Sequence, residues 1–245
     1  MMTRKGLAPL VAAAIAGLSA APLAAQDGGR LFQVPEGCEA FLTVQSRSCL
    51  VSHHWRCEAD PEGSSWRATL DQDGAFYLSF TDAEFRWLRS WSLRSGSNDT
   101  LIEPEEDPAS LSELLATGRD AMVFSIREES TLGTFQRDYT GYDELTGESV
   151  EVDGRTLLVT RFAYQYDAAG GTRRTEGNQF VHEGWRLFFG GLETTTRPDG
   201  ETFEGNFSPM EFAEAGERGF LSVEPIYDCG DMMSALPSPV WRVRQ

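Results

Sequence analysis

The sequence predicts a mainly β fold, an antiparallel meander of about ten to twelve strands that forms a barrel or half-barrel with one short helix packed on it. Three observations carry this prediction. Apolar and polar residues alternate over many short runs, the connections are short and contain turn pairs such as Asp73-Gly74, and only one segment has the start and stop signals of a helix. Short hairpin connections favour the barrel over a two-layer sandwich, which stays the alternative.

The N-terminal residues have the features of a secretory signal peptide. Two basic residues precede an apolar stretch, residues 6–25, that ends in small side chains. We therefore predict a signal peptide at 1–25 and a single disulfide-stapled β domain at 26–245, in which 230–245 is either a docked edge element or a loose tail. Because no later apolar run approaches the length of a membrane span, about 20 residues, we expect a soluble periplasmic protein.

Charge and lysine content exclude several functions. The chain has 38 acidic and 21 basic residues and a formal net charge of −17 at pH 7, so its surface repels nucleic acid and anionic membranes. Lys5 is the only lysine, and it lies in the predicted signal peptide. The mature protein therefore has no Schiff-base lysine, no Ser–Lys dyad and no phosphate-binding loop lysine.

The four cysteines predict two disulfides. Two strand-like runs form an antiparallel hairpin in which Cys38 faces Cys57, and the roughly 4.5–5.5 Å between facing Cα atoms is a separation that a disulfide allows. In an extended run Cys49 and Cys57 would lie about 26 Å apart, which is too far for a bridge. We therefore expect the pairs Cys38–Cys57 and Cys49–Cys229, and these bridges indicate an oxidising compartment.

The hairpin register also predicts the burial of two histidines. With the centre of the hairpin in the middle of the connecting turn, Leu42 faces His53 and Val44 faces Val51. This face is mostly apolar, so His53 should be half-buried. His54 points to the other face and should be exposed.

A metal site is the alternative for this hairpin. The spacing C-x3-H-H-x2-C, from Cys49 to Cys57, combines thiolates and imidazoles that suit zinc or copper. However, a strand sends neighbouring histidines to opposite faces, and an oxidising compartment converts the thiols to disulfides. We therefore predict no metal and no cofactor, with a metal-dependent enzyme that uses His53, His54 and His182 as an alternative.

The region before the predicted helix is less regular. Residues 84–93 have tryptophans at helical spacing, Trp87 and Trp91, but the alternation and the sheet context favour a strand. Residues 95–107 are polar and acidic, and they predict a solvated loop.

The helix itself has clear termini. Either Asp107 or Ser110 is the predicted N-cap, and Gly118 ends the helix. An apolar stripe of leucines on one side of the helix should lie on the sheet. These leucines are Leu111, Leu114 and Leu115.

The remaining strands are predicted from alternation alone. They are 65–71 and 75–81 before the helix, and 121–127, 133–140, 148–152, 155–167, 172–182 and 184–189 after it.

Aromatic residues indicate a binding surface rather than a catalytic site. The chain lacks the G-x-S-x-G motif and has only three histidines. The segment GWRLFFGG, residues 184–191, is the predicted pocket wall because its glycines permit close backbone approach. The predicted ligand-binding residues are apolar side chains on predicted strands. They are Trp185, Leu187, Phe189, Trp87 and Trp91.

Together these features predict an exported, non-catalytic β protein that binds an apolar small molecule or lipid, or an envelope protein partner. At fold level the signal peptide, the strand count and the leucine-faced helix resemble exported carriers built as a half-barrel closed by a helix, of the lipoprotein-carrier or lipocalin type. The alternatives are a polysaccharide-binding β-sandwich and the metal-dependent enzyme described above.

Overall fold

The computed structural model describes residues 32–230, which form thirteen strands and one helix. The predicted signal peptide and residues 231–245 lie outside the described residues. The strands are β1 (Cys38–Ser46), β2 (Leu50–Cys57), β3 (Ser65–Asp71), β4 (Gly74–Thr81), β5 (Trp87–Ser92), β6 (Ser97–Asp107), β7 (Arg119–Ser130), β8 (Gly133–Val152), β9 (Arg155–Ala168), β10 (Gly171–His182), β11 (Leu187–Thr196), β12 (Thr202–Asn206) and β13 (Pro209–Glu214), and the helix is α1 (Leu111–Thr117). No helix among residues 32–230 has the length and apolar character to cross a bilayer.

The strands form one antiparallel meander, as predicted. From β1 to β12, each strand pairs with its neighbours in the chain. Tight turns make this order possible: Asp153 and Gly154 both have positive φ angles, 49° and 70°, as a two-residue Asp-Gly hairpin turn requires. The prediction of a mainly β meander with one short helix is confirmed, with one strand more than the predicted range allowed.

The last two strands, β12 and β13, lie at opposite ends of the sheet, so the short segment that joins them brings these two ends together. β12 pairs with β11 at one end, whereas β13 pairs with β1 at the other. Only Phe207 and Ser208 separate them, and these two residues bond to both ends: the Phe207 N–H donates to the Gly191 carbonyl, and the Ser208 carbonyl accepts from the Arg47 N–H. The sheet is not closed by paired edge strands, but it must curl into a barrel-like shape for one continuous segment to reach both ends.

The main core confirms this curvature. Leu42 and Val44 of β1 pack against Leu157 of β9, Leu187 of β11 and Phe212 of β13. Strands β1 and β9 are far apart in the order of the sheet, so their side chains can meet only if the sheet folds back on itself.

A second core covers the other side of the first three strands. Its centre is Trp55 and neighbouring residues of β2 and β3, packed against Phe32 on the N-terminal side and Phe220 on the C-terminal side. The disulfide Cys49–Cys229 holds the C-terminal segment there, and Cys38–Cys57 closes the first hairpin, so both predicted bridges are confirmed.

The register of the first hairpin differs from the prediction. Cys38 and Ala40 face the predicted partners, but a bulge between Ala40 and Leu42 shifts the rest by one residue, so Leu42 faces His54 rather than His53. The prediction that His54 is exposed is therefore wrong: it faces the side that carries Leu42 and is 2% exposed.

Two further predictions of local structure need correction. The acidic stretch predicted as a loop is strand β6, paired with β5 and β7; its acidic residues lie at a register shift between Ile102 and Asp107. The predicted strand 184–189 begins later, because residues 183–186 form a turn and β11 starts at Leu187. The strand interpretation of 84–93 is confirmed from Trp87 onwards.

The helix follows its predicted termini. The Ser110 hydroxyl accepts a hydrogen bond from the Glu113 N–H at 3.1 Å, and Gly118, with a φ of 87°, donates its N–H to the Leu114 carbonyl. Leu111 and Leu114 are buried against β10 and β11. Burial of each leucine stabilises the helix by about 1.5–3 kcal/mol.

Candidate ligand cavity

A cavity of about 210 Å³ lies between α1, the β4–β5 connection and one face of the sheet from β5 to β11. Aromatic side chains from five strands form most of its apolar wall. These are Trp87, Phe124, Tyr139, Phe162, Tyr164 and Phe188.

The sheet supplies this wall through cross-strand alignment. Phe124 of β7 pairs with Tyr139 of β8, and their rings stack with centroids 5.0 Å apart. On the same face, Gly141 separates Met122 from Tyr164. A Cβ atom at Gly141 would lie 2.8 Å from the Cβ of Tyr164, so only glycine leaves room for the tyrosine.

The start of the helix is fastened over the cavity by Glu84, which lies in the β4–β5 connection. Its carboxylate accepts hydrogen bonds from the Ser110 hydroxyl at 3.0 Å and from the Ser112 N–H at 2.8 Å. It also accepts from the Ser112 hydroxyl and from Arg186. Although burial opposes them, these bonds hold the pKa of Glu84 below its usual value.

The basic group in the cavity wall, Arg86, is fully paired. It donates to Asp82 at 2.6 Å, to Glu105 at 3.0 Å and to Glu103 at 3.3 Å. The bond to Asp82 is the main reason that the pKa of Arg86 is raised, so the guanidinium stays charged. Because its partners are all carboxylates of the protein, Arg86 leaves no free positive charge at the cavity.

Two carboxyl groups face each other across neighbouring strands in the same cavity. Asp120 of β7 is the direct cross-strand partner of Asp143 of β8, and both line the cavity. Asp120 is 4% exposed and accepts a hydrogen bond from the Ser110 N–H at 2.8 Å. Among residues 32–230, no group donates a hydrogen bond to the Asp143 carboxyl.

Burial raises the pKa of both carboxyl groups, so the pair is less acidic than ordinary aspartates. Burial, opposed by the Ser110 N–H and assisted by nearby carboxylates, raises the pKa of Asp120 to about 6. Burial, and then the charge of Asp120, raise the pKa of Asp143 to about 7. Between about pH 5 and pH 7 the pair therefore retains protons that ordinary aspartates would release.

The cavity wall also contains an unpaired donor. The Nε1–H group of Trp87 is buried, and no acceptor within the described range is within hydrogen-bond distance. A buried donor without a partner is costly, typically about 1–3 kcal/mol. The cavity itself therefore offers two carboxyl groups, whereas the Trp87 nitrogen is closed off from solvent.

The five predicted ligand-binding residues do not lie together. Trp87 lines the cavity. Leu187 and Phe189 are buried in the main core, where Trp185 packs against Phe212 at a ring separation of 5.3 Å. Trp91 belongs to a different aromatic group, on the other side of the sheet from the cavity, and stacks on Trp66 at 5.7 Å.

The glycines of segment 184–191 do allow close approach, but of neighbouring protein. A Cβ atom at Gly190 would lie 2.8 Å from the Cβ of Phe207, and one at Gly191 would lie 2.5 Å from the Asn178 carbonyl oxygen. The small size of Gly190 serves the packing of β11 against the segment that joins β12 to β13, and that of Gly191 serves its packing against β10.

The histidines of the alternative metal site do not converge. His53 and His54 point to opposite faces, and the His182 Nδ1 atom accepts the Trp185 N–H at 3.0 Å. The cysteines of the motif are in disulfides. Across residues 32–230, no three histidine, cysteine or acidic side chains are placed to hold a metal ion.

Sequence reasoning missed Asp120 and Asp143. It placed Asp120 just before a strand and Asp143 in a connection, although both lie within strands. One signal was available: Asp120 continues the alternation of Met122, Phe124 and Ile126 by one step, so it belongs to their buried face.

Comparison with known proteins identifies no family. No protein-family model and no curated protein matches this chain. A crystal structure of the hypothetical lipoprotein YmcC from Escherichia coli K12 aligns over 71% of this chain and 87% of that chain, with 14% sequence identity and a TM-score of 0.41. A likeness at this level carries no argument about function. The two disulfides are typical of exported proteins.

Proposed function

We propose that this protein acts in the periplasm, as one domain at 26–245 after removal of the 1–25 signal peptide, and binds an apolar small molecule or a lipid chain. The observation that carries the proposal is the aromatic-lined cavity between α1 and the sheet. Ligand sites are commonly concave, mostly apolar and supplied with a few polar groups, and this cavity has all three properties.

The size of the cavity limits the ligand. Its volume of about 210 Å³ is below the roughly 300–1,000 Å³ of sites for drug-sized molecules. A single medium-length hydrocarbon chain is therefore a better fit than a bulky lipid. The role proposed is binding rather than catalysis.

The test is calorimetric titration of the disulfide-intact protein with 1-octanol, an uncharged probe of this kind. We expect saturable binding in the native protein. Met122→Trp should weaken the binding at least tenfold, because Met122 lines the cavity and a larger side chain would fill it.

The matched control is Leu132→Trp, which introduces the same side chain at a position that is 78% exposed. Its octanol affinity should equal that of the native protein, and circular dichroism should show that both variants fold. Absence of octanol binding, or equal binding by the two variants, would contradict the proposal.

A further inference from the structure

We propose that the ligand is an apolar amine, whose ammonium group lies between Asp120 and Asp143 while its hydrocarbon part occupies the aromatic cavity. This inference rests on the proposed function and specifies the chemistry of the ligand in that cavity.

The geometry of the pair suits a single cation. Facing residues of antiparallel strands have Cα atoms about 4.5–5.5 Å apart, so the two carboxyl groups, both on the cavity face, lie within reach of one nitrogen. An ammonium group has three donors and no acceptor, which matches two carboxyl groups. Asp143 has no donor among the described residues, whereas Asp120 already accepts one from Ser110.

Within residues 32–230, the charged groups that act on Asp120 include no counter-ion. The groups whose charge acts on Asp120 are carboxylates on three other elements: Glu84 in the β4–β5 connection, Asp107 of β6 and Glu113 of α1. The cavity wall adds Glu105, and its one arginine, Arg86, is paired with carboxylates. A cation entering from solvent would meet a negative field and no positive competitor.

The walls next to the pair also favour a cation with an apolar body. Phe162 of β9 is the cross-strand partner of Asp143, and Tyr164 faces Gly141 one step along the same face. Aromatic faces attract ammonium groups and also pack well against hydrocarbon.

Protonation of the pair predicts how binding depends on pH. The raised pKa values, about 6 for Asp120 and about 7 for Asp143, mean that both carboxyls are largely neutral below pH 6. An alkyl ammonium keeps its charge throughout this range. Binding of the amine must therefore tighten as the pH rises from 5.5 to 8, and it must release a proton where the pair is still protonated.

The experiment compares three probes with the same chain, octylamine, 1-octanol and octanoate, by calorimetry at pH 5.5 and pH 8. At pH 8 we expect octylamine to bind at least about tenfold more tightly than octanol, since a charge-assisted hydrogen bond replaces a neutral one. Octanoate should bind most weakly. Octanol affinity should be the same at both pH values.

The variants Asp143→Asn and Asp120→Asn test whether these two carboxyl groups bind the ammonium group. In each, octylamine should bind no better than octanol at pH 8, while octanol binding is retained and shows that the cavity is intact. The matched control is Glu144→Gln, one residue from Asp143 but on the opposite face, where Glu144 pairs with Arg119. It should keep the preference for the amine.

The outcomes separate this inference from the proposed function. If octanol binds and octylamine binds no more tightly, or if octanoate binds best, the amine inference is overturned and the apolar cavity stands. If none of the three probes binds, the proposed function itself fails.

Discussion

At the residue scale, the fold buries a histidine in its uncharged form. His53 is fully buried: its Nδ1 atom lies 3.0 Å from the Thr43 hydroxyl, and its ring stacks on Phe32 at 4.7 Å. Because the Thr43 oxygen already accepts the Leu221 N–H, its own proton is free to be donated to the imidazole. Burial lowers the pKa of His53 to about 4, so this histidine is neutral at physiological pH.

This histidine makes the fold sensitive to acid. Above pH 6.5, His53 is neutral in both the folded and the unfolded protein. Between pH 6.5 and about pH 4 the unfolded chain binds a proton at this residue and the folded protein does not, so the unfolded state is favoured as the pH falls. We expect His53 to reduce the free energy of unfolding by up to about 3 kcal/mol across this window. Urea unfolding of the native protein and of His53→Asn at pH 7.5, 6, 5 and 4 measures it.

Subtracting the free energy of unfolding of His53→Asn from that of the native protein removes the contribution of the aspartate pair. Asp120 and Asp143 act with the opposite sign, because a raised pKa stabilises the fold at low pH and this contribution is lost as the pH rises through about 6 and about 7. Both proteins contain the pair, so only the difference between them reports His53. A difference that stays constant from pH 7.5 to pH 4 would refute the prediction.

Sequence patterns predicted some of these residues and missed others for definite reasons. The alternation that predicted the disulfides is strict from Cys38 to Ala40, so those partners were correct. The bulge at Phe41 has no glycine or other signal in the sequence, and it shifted the register so that Leu42 faces His54 and Thr43 faces His53. Asp120 was missed because a carboxyl group inside an apolar face contradicts the average pattern, which is a common feature of binding sites.

At the scale of elements, α1 depends on a contact outside itself. The helix has only seven residues, too few to be stable alone, and its first turn is attached to Glu84 rather than only to its own cap. The same side chain contacts Arg186, just before β11. Glu84 therefore connects the helix, the β4–β5 connection and the turn before β11.

Replacement of Glu84 should loosen the helix. Glu84→Ala removes the acceptor of two serine hydroxyls and one N–H, so we expect a loss of about 1–2 kcal/mol in the free energy of unfolding and faster amide exchange in residues 109–118. Hydrogen–deuterium exchange with mass spectrometry measures this locally.

The control for this change is Glu113→Ala, in the first turn of the same helix. The Glu113 carboxyl has no hydrogen bond to any described residue, and alanine favours the helix. Its exchange should be close to that of the native protein. Equal exchange in the two variants would show that Glu84 does not hold the helix.

Elements with strong local signals were predicted well. Ser110 and Gly118 bound the helix because caps act within one turn, and the sequence contains everything they need. Strand β6 was missed because Glu103 to Asp107 resemble a solvated loop. Pairing of residues 97–100 with β5 and of residues 98–102 with β7 holds the first part of β6, and Asp107 pairs with Val123 beyond the register shift.

At the scale of the whole molecule, the two disulfides constrain the chain to different degrees. Cys38–Cys57 spans 19 residues, whereas Cys49–Cys229 spans 180. Loop-closure entropy gives about 3 kcal/mol for the short loop and about 5 kcal/mol for the long one. The long-range bridge also holds Phe220 and its neighbours over the second core.

Removal of the long-range bridge should therefore cost more. We expect the pair Cys49→Ala and Cys229→Ala to lower the free energy of unfolding by about 2 kcal/mol more than the pair Cys38→Ala and Cys57→Ala. Urea unfolding of both double variants under identical conditions compares them. Equal losses, or a larger loss for the short loop, would contradict this expectation.

The barrel-like form of the sheet was predicted from its short hairpin connections, but its detailed curvature was beyond sequence reasoning. Alternation of apolar residues indicates strands and their faces, but not how far a sheet of thirteen strands twists and rolls. The contact of Leu42 with Leu157 and Leu187 depends on the sum of many small twists, and on the path of Phe207 and Ser208 between the two ends of the sheet. Neither the summed twist nor the path of this segment is indicated by a pattern of neighbouring residues in the sequence.

The position of β13 beside β1 has a consequence for the order of events during synthesis. Strand β1 is made early, yet one of its edges has no partner until β13 is made almost 170 residues later, where Val44 meets Phe212. An unpaired apolar edge is a template for wrong partners. Until the last strand docks, the nascent chain is therefore most vulnerable to aggregation at its first strand, and a chaperone that shields this edge would matter more for yield than one that shields any later hairpin.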